Sequence, residues 1–173
     1  MNKCKHNLIN INNYLIIPFG ITKEIDTLMN YFLYKVPSIE SLHSKEIDFN
    51  DHQAFMHFIK DVGFKTITFI DKYNDNIYKK YHLYGDKICI KCPRIVMNRL
   101  TEDNKLESYL ESLLRHLRNS IAHGGFYYLH DNKRNYMLFE DRNTNNITSR
   151  IVVNKQILKR LKSTIIRYQK GSK

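Results

Sequence analysis

The sequence has few acidic residues, few cysteines and no tryptophan. Its 173 residues contain 17 Asp and Glu against 28 Lys and Arg, a formal net charge of +11. Such an excess favours an anionic partner, and RNA or DNA is the first candidate. Solubility alone is the competing explanation for the charge.

Three cysteines, an odd number, argue against a disulfide framework. Cys89 and Cys92 form one Cys-x-x-Cys without a second pair, and zinc would need two more ligands. Because His82 and Cys4 are only weak candidates for those ligands, we interpret the pair as structural. We expect no metal and no cofactor.

Long apolar segments are also missing, since no run approaches the roughly 20 residues that span a bilayer. The stretch 8–19 is interrupted by Asn10, Asn12 and Asn13, unlike the core of a signal peptide. We therefore expect a cytoplasmic protein that does not enter a membrane. The length suits one domain over residues 1–173, and no repeat or linker divides the chain.

Helical periodicity dominates the first half of the chain. Helices are predicted over residues 22–35, 50–63 and 66–84. Residues 1–19 show no clear helical period. Residues 87–97 are ambiguous, because Ile88 and Ile90 alternate as in a strand but Pro93 excludes a long one.

The most informative helix is predicted to begin after Thr101 and to end at Gly124 and Gly125. Its apolar residues recur at steps of three and four: Leu106, Leu110, Leu113, Leu114, Leu117 and Ile121. After it, two aromatic runs at 126–129 and 136–139 predict a β-hairpin. A final helix is predicted from Asn154. We therefore expect a mainly α fold, a helical bundle with a short β-hairpin and a C-terminal helix.

The polar face of the predicted helix carries an unusual group of side chains. His116, Asn119 and His123 share one stripe, with Arg115 beside it and Arg118 at its border with the apolar face. Histidine transfers protons near neutral pH, and arginine binds phosphate through its forked, permanently charged group. These residues are therefore suited to bind a phosphate and move a proton.

The segment Arg118-Asn119-x-x-x-His123, at the end of an amphipathic helix, resembles the Arg-x4–6-His motif of the HEPN superfamily. Residues 117–125 resemble plasmid- and defence-associated members, in which this helix leads into a β-hairpin. Many HEPN domains are metal-independent RNases of toxin–antitoxin, abortive-infection and CRISPR-linked systems. The resemblance implies an endoribonuclease that acts as a toxin or defence effector.

Together with the chemistry of the side chains, the resemblance assigns roles. Arg118 and Asn119 are expected to hold the scissile phosphate, and His123 to act as general base or acid. Arg115 and His116 are secondary candidates on helical position alone. RNA needs no metal for cleavage, because its own 2′-hydroxyl can attack the adjacent phosphorus.

On an ideal helix, Arg118 and His123 point roughly 140° apart, so one helix forms a poor pocket from them. Two such helices around a two-fold axis would bring both motifs into one cleft, which is the arrangement of HEPN RNases. We predict a homodimer whose interface includes residues 106–123.

One branch of the family is neutralised by AMP transfer from a nucleotidyltransferase antitoxin and carries a tyrosine two residues after the histidine. Here that position is Gly125, which lowers the expectation of an AMPylating partner. The possibility of a different cognate antitoxin stays open.

The segment from Arg150 to Lys173 has eight Lys or Arg and no acid. Either it forms a solvated basic face, or Lys159, Arg160 and Lys162 follow the RNA backbone. Two alternatives to an enzyme remain: a catalytically silent HEPN module that binds RNA or a protein, and a DNA-binding regulator. The second lacks a helix-turn-helix signature.

Overall fold

A five-stranded sheet forms the centre of the molecule in the computed structural model. The structure describes residues 8–12, 14, 18–36, 51–70, 74–90, 93–101, 103–131, 134–144 and 146–169. The helices are α1 (Lys23–Asn30), continued by a π-helical turn (Tyr31–Lys35), α2 (His52–Val62), α3 (Asp75–Lys80), α4 (Tyr109–Ala122) and α5 (Lys155–Gln169). The strands are β1 (Leu8–Asn10), β2 (Thr66–Ile70), β3 (Lys87–Cys89), β4 (Arg94–Asn98), β5 (Phe126–Asp131), β6 (Arg134–Asn143) and β7 (Asn146–Asn154).

The strand order in the large sheet is β2-β4-β7-β6-β5. The β2 and β4 strands are parallel, whereas β4, β7, β6 and β5 pair with their neighbours in antiparallel fashion. The short β1 and β3 strands form a separate antiparallel pair. The expectation of a mainly α bundle is therefore wrong: among the described residues helix accounts for 44% and strand for 31%, and the fold is mixed α/β.

Both faces of the sheet are buried. Met137 and Phe139 of β6 pack into a core shared with α1, α2, α4 and α5. Leu138, between them in sequence, packs on the opposite face with residues near α3 and β3. A strand buried on both faces needs apolar residues at every position, as in the run from Tyr136 to Phe139.

The predicted helix over residues 66–84 is wrong in its first part. Thr66–Ile70 is the β2 strand, paired in parallel with β4, and only Asp75–Lys80 forms a helix. Alternating threonine and large apolar residues suit a strand, and pairing with β4 outweighs the weak helical period. The β7 strand was also missed, although it joins the hairpin to β4 and makes the sheet continuous.

Other predicted elements are confirmed. Thr22 caps α1, and α2 begins after Asp51 and ends at Gly63, which has a left-handed conformation. The hairpin forms as β5 and β6, longer than predicted. The C-terminal helix α5 begins directly after Asn154.

Candidate functional site

The α4 helix positions most of the motif residues, and it begins later than predicted. Ser108, rather than Thr101, is the N-cap, and it forms a capping box with Glu111. Leu106 precedes the helix and is 63% exposed, so it does not belong to the apolar stripe. The other stripe residues are buried in the chain's own core: Leu110, Leu113, Leu114, Leu117 and Ile121.

The turn after α4 fixes the direction in which the chain leaves the helix. His123 is the C-cap, and its amide donates to the carbonyl of Asn119 at 2.8 Å. Gly124 follows with φ +76°, a conformation that glycine adopts without strain. The Gly125 carbonyl then accepts from the Glu140 amide at 2.7 Å, which starts the pairing with β6.

A cleft of about 440 Å³ opens at this end of α4. Its walls come from α4, the segment after β4, and the β6–β7 turn. The lining residues are Asn98, Leu100, Thr101, Asn104, Arg115, Asn119, His123, Asp141, Arg142, Asn143, Thr144, Asn146, Ile147 and Thr148. Amides, hydroxyls and two arginines dominate this lining, which suits a polar, anionic ligand.

The structure separates the residues that the motif grouped together. Asn119 and His123 line the cleft, and so does Arg115. Arg118 is exposed and is not part of the lining. A single chain therefore places the histidine and the arginine of the motif on different surfaces, as the helical geometry predicted.

His116 lies behind the cleft wall, fully buried. Its Nδ1 atom lies 2.7 Å from Oδ2 of Asp141, and its Nε2 atom lies 2.9 Å from the carbonyl oxygen of Asn98. The Nε2 atom also lies 3.4 Å from Nη2 of Arg115. Because it is buried, His116 cannot touch a ligand in the cleft; it joins α4 to β4 and β6.

Arg115 is held in place at the cleft wall by a carboxylate. Its Nε atom donates to both oxygens of Glu107, at 2.9 and 2.8 Å. Its Nη1 atom lies 3.9 Å from Asp141, which also accepts from the Asn119 amide at 3.3 Å. The side chain of Arg115 is 27% exposed. The hydrogen bonds from Nε to Glu107 thus hold the Arg115 guanidinium at the wall of the cleft.

A second group of ion pairs connects β6 with β7. Glu140, 3% exposed, is 2.6 Å from Nη2 of Arg150 and 2.5 Å from Nε of Arg142. Burial raises the pKa of Tyr127, and the nearby Glu140 charge adds to this shift. Burial alone would lower the pKa of Arg142, but the hydrogen bond and charge of Glu140 outweigh it and raise that pKa.

Sequence reasoning missed three residues that shape the site: Glu107, Asp141 and Arg142. They lie on segments far apart in the chain, and no fixed spacing connects them to the motif. Asp141 and Arg142 lie near the end of β6, beyond its aromatic run, and no pattern in the sequence marked them.

Two of the three basic residues of α5 that were predicted to follow RNA have partners within the chain. Lys159 forms an ion pair with Glu24 of α1, and Lys162 lies 5.1 Å from the centre of the Tyr31 ring. Arg160 is exposed. None of the three lines the cleft.

Clusters of metal ligands and membrane-spanning helices are both absent from the ranges that the structure describes. No group of three or more His, Cys, Asp or Glu side chains there is arranged to hold a metal ion. Cys89 is buried, and Cys4 and Cys92 lie outside the described residues. No helix there has the length and hydropathy needed to cross a membrane.

Comparison with known proteins identifies the family. Residues 2–171 match the family described as HEPN pEK499 p136. No curated protein and no solved structure matches the chain. Because the match covers nearly the whole sequence, this chain belongs to the HEPN pEK499 p136 family.

Proposed function

We propose that the protein is a metal-independent endoribonuclease that cleaves RNA at the cleft beside α4, as a toxin or defence effector. The placement of His123 carries the proposal. It is the exposed C-cap of α4 and lines a cleft rich in amides and arginines. HEPN domains are often RNases, which agrees with this placement.

In the proposed reaction, the 2′-oxygen of RNA attacks the adjacent phosphorus and the bond from phosphorus to the 5′-oxygen breaks. The products are a 2′,3′-cyclic phosphate and a free 5′-hydroxyl. One proton leaves the 2′-hydroxyl and one is delivered to the 5′-oxygen. His123 performs one of these transfers, and Asn119 donates a hydrogen bond to the phosphate.

In this scheme, Arg118 acts in the cleft of a second copy of the chain. Since Arg118 faces solvent outside the cleft lining, a two-fold pairing along the exposed face of α4 would bring it to the partner's cleft. The apolar residues of α4 are already buried in the chain's own core, so this interface would be formed by polar residues and the exposed Ala122.

The same placement of Arg118 favours one alternative. A chain that does not pair in this way would have an incomplete motif and would be a silent HEPN module that binds RNA or a protein partner.

The decisive experiment incubates purified protein with single-stranded RNA in excess EDTA and analyses the product ends. We expect cleavage with 2′,3′-cyclic phosphate ends. His123→Ala should lower the cleavage rate by about 10²–10⁴-fold, typical for loss of a proton-transfer group. The matched control is His57→Ala, because the His57 side chain is 81% exposed on α2. Cleavage that requires Mg²⁺ or Mn²⁺, or a His123→Ala variant with wild-type activity, would contradict the proposal.

A further inference from the structure

Arg142 lines the cleft beside an irregularity in the sheet. Asp141 pairs with Ser149, but the next residue, Arg142, pairs with Ile147, so Thr148 is an extra residue in β7. Arg142 lies on the same face of β6 as Glu140, whereas Asp141 between them faces α4, as the alternation of side chains along a strand requires. Both Asp141 and Arg142 line the cleft, which opens beside the bulge and the β6–β7 turn. Bulges are frequent beside functional sites.

The guanidinium of Arg142 is anchored at one side and open at the other. Its Nε atom is 2.5 Å from Oε1 of Glu140, and the Arg142 side chain is 50% exposed. Glu140 is fixed in turn by Arg150, which also donates to the carbonyl of Gly85 at 2.7 Å. Among the described residues, no partner is seen for the two terminal nitrogens of Arg142. Those nitrogens are available for a ligand.

The balance of charge around the cleft points to the same residue. Three carboxylates lie in or behind its walls, each with a basic partner: Glu107 with Arg115, Asp141 with His116, and Glu140 with Arg150. Glu140 thus shares one negative charge between two arginines. Arg142 therefore shares the carboxylate of Glu140 with Arg150, and the charge of Asp86 acts on it more weakly. A phosphate in the cleft would add a second negative charge beside these two arginines.

We infer that Arg142 binds a phosphate of the RNA substrate in the same cleft that holds His123 of its own chain. This inference rests on the proposed ribonuclease function and extends it, because it assigns phosphate binding to β6 and not only to the helix motif. Arg142 holds the sugar-phosphate backbone from the sheet side of the cleft, while His123 and Asn119 approach from the helix side. Its forked guanidinium suits two phosphate oxygens at once.

Arg142→Gln removes the charge while Glu140 keeps its bond to Arg150, so the variant should fold, which thermal unfolding checks. The matched control is Arg167→Gln, which removes the same charge from the exposed surface of α5. Arg142→Lys keeps the charge but loses the fork. Binding is measured by fluorescence anisotropy with a 12-nucleotide RNA carrying 2′-O-methyl groups, which cannot be cleaved. The unmodified RNA gives kcat and KM.

For Arg142→Gln we expect the Kd of the blocked RNA to rise about tenfold, with a similar rise in KM. The salt dependence of log K should fall by about 0.7 for one lost phosphate contact. Arg142→Lys should recover part of the affinity, and Arg167→Gln should bind like the wild type.

Wild-type affinity and salt dependence in Arg142→Gln, or equal losses in both glutamine variants, would overturn the inference while leaving the ribonuclease intact. Suppose instead that the wild-type protein binds RNA through Arg142 but does not cleave it. This result would overturn the proposed ribonuclease function and would still support the phosphate site at Arg142.

Discussion

The Nδ1 atom of His116 lies 2.7 Å from the Oδ2 atom of Asp141, which joins the middle of α4 to β6 behind the cleft. Both side chains are almost completely buried, at 0% and 4% exposure. Asp141 also accepts a hydrogen bond from Asn119 in the cleft. One buried contact therefore fixes both the packing of the helix on the sheet and the orientation of a site residue.

His116→Ala should destabilise the protein by about 3–5 kcal/mol, because it leaves the buried Asp141 carboxylate without its closest partner. Urea unfolding followed by circular dichroism measures the change. The surface control His57→Ala should shift the free energy of unfolding by about 0.5 kcal/mol or less. Equal effects of the two substitutions would show that the buried pair contributes nothing to stability.

Gly125 and Gly124 allow a second, internally controlled test of stability. A Cβ atom at Gly125 would overlap the carbonyl oxygen of Glu140, whereas Gly124 faces open space. Gly124→Ala should cost about 1–2 kcal/mol, from its left-handed backbone alone. Gly125→Ala should cost more, since the first pair of the hairpin has to move apart. Thermal unfolding of the two variants decides the order, and the reverse order would contradict this account of the turn.

Tyr31 gives a prediction about pH. Its hydroxyl is buried without a partner among the described residues, and burial raises its pKa to about 12. The folded state thus favours the neutral phenol. This contribution is fully present below pH 10, and it is lost as the pH rises from about 10 to about 12.

Tyr31→Phe should therefore stabilise the protein by about 1 kcal/mol at neutral pH, because no unsatisfied hydroxyl is buried. It should also lose less stability than the wild type between pH 10 and 12. Urea unfolding at several pH values measures both effects. Tyr34→Phe is the control, since Tyr34 is 73% exposed and should leave the stability at neutral pH unchanged. A destabilised Tyr31→Phe would show that the hydroxyl has a partner.

A final prediction concerns assembly. We expect a homodimer in solution at micromolar concentration, with the exposed face of α4 around Arg118 and Ala122 in the interface. Ala122→Arg adds a second positive charge beside Arg118 and should weaken the dimer and its RNase activity together. Gln156→Arg, on the exposed side of α5, adds the same charge as a control. Light scattering that shows a monomer with full RNase activity would contradict the paired site.

The sequence predicted an element correctly where the residues that form its stabilising contacts lie close together in the chain. The caps at Thr22 and Asp51, the aromatic hairpin and the start of α5 depend on neighbouring residues, and the structure confirms them. The start of α4 was misplaced because Thr101 and Ser108 are both good caps by composition. The choice between them depends on Glu111, which completes the capping box of Ser108.

By itself, the sequence determined the family, the positive charge, and the helix end that carries Arg118, Asn119 and His123. These follow from local pattern and spacing. Only the tertiary structure decided that the fold is mixed α/β, because the pairing of β2 with β4 and of β7 with β6 joins residues distant in the chain. The cleft likewise depends on Asp141, which contacts the buried His116 of α4, and on Arg142 beside the bulge between β6 and β7. Contacts of this kind leave no period in the sequence, since their energy arises only after the sheet has formed.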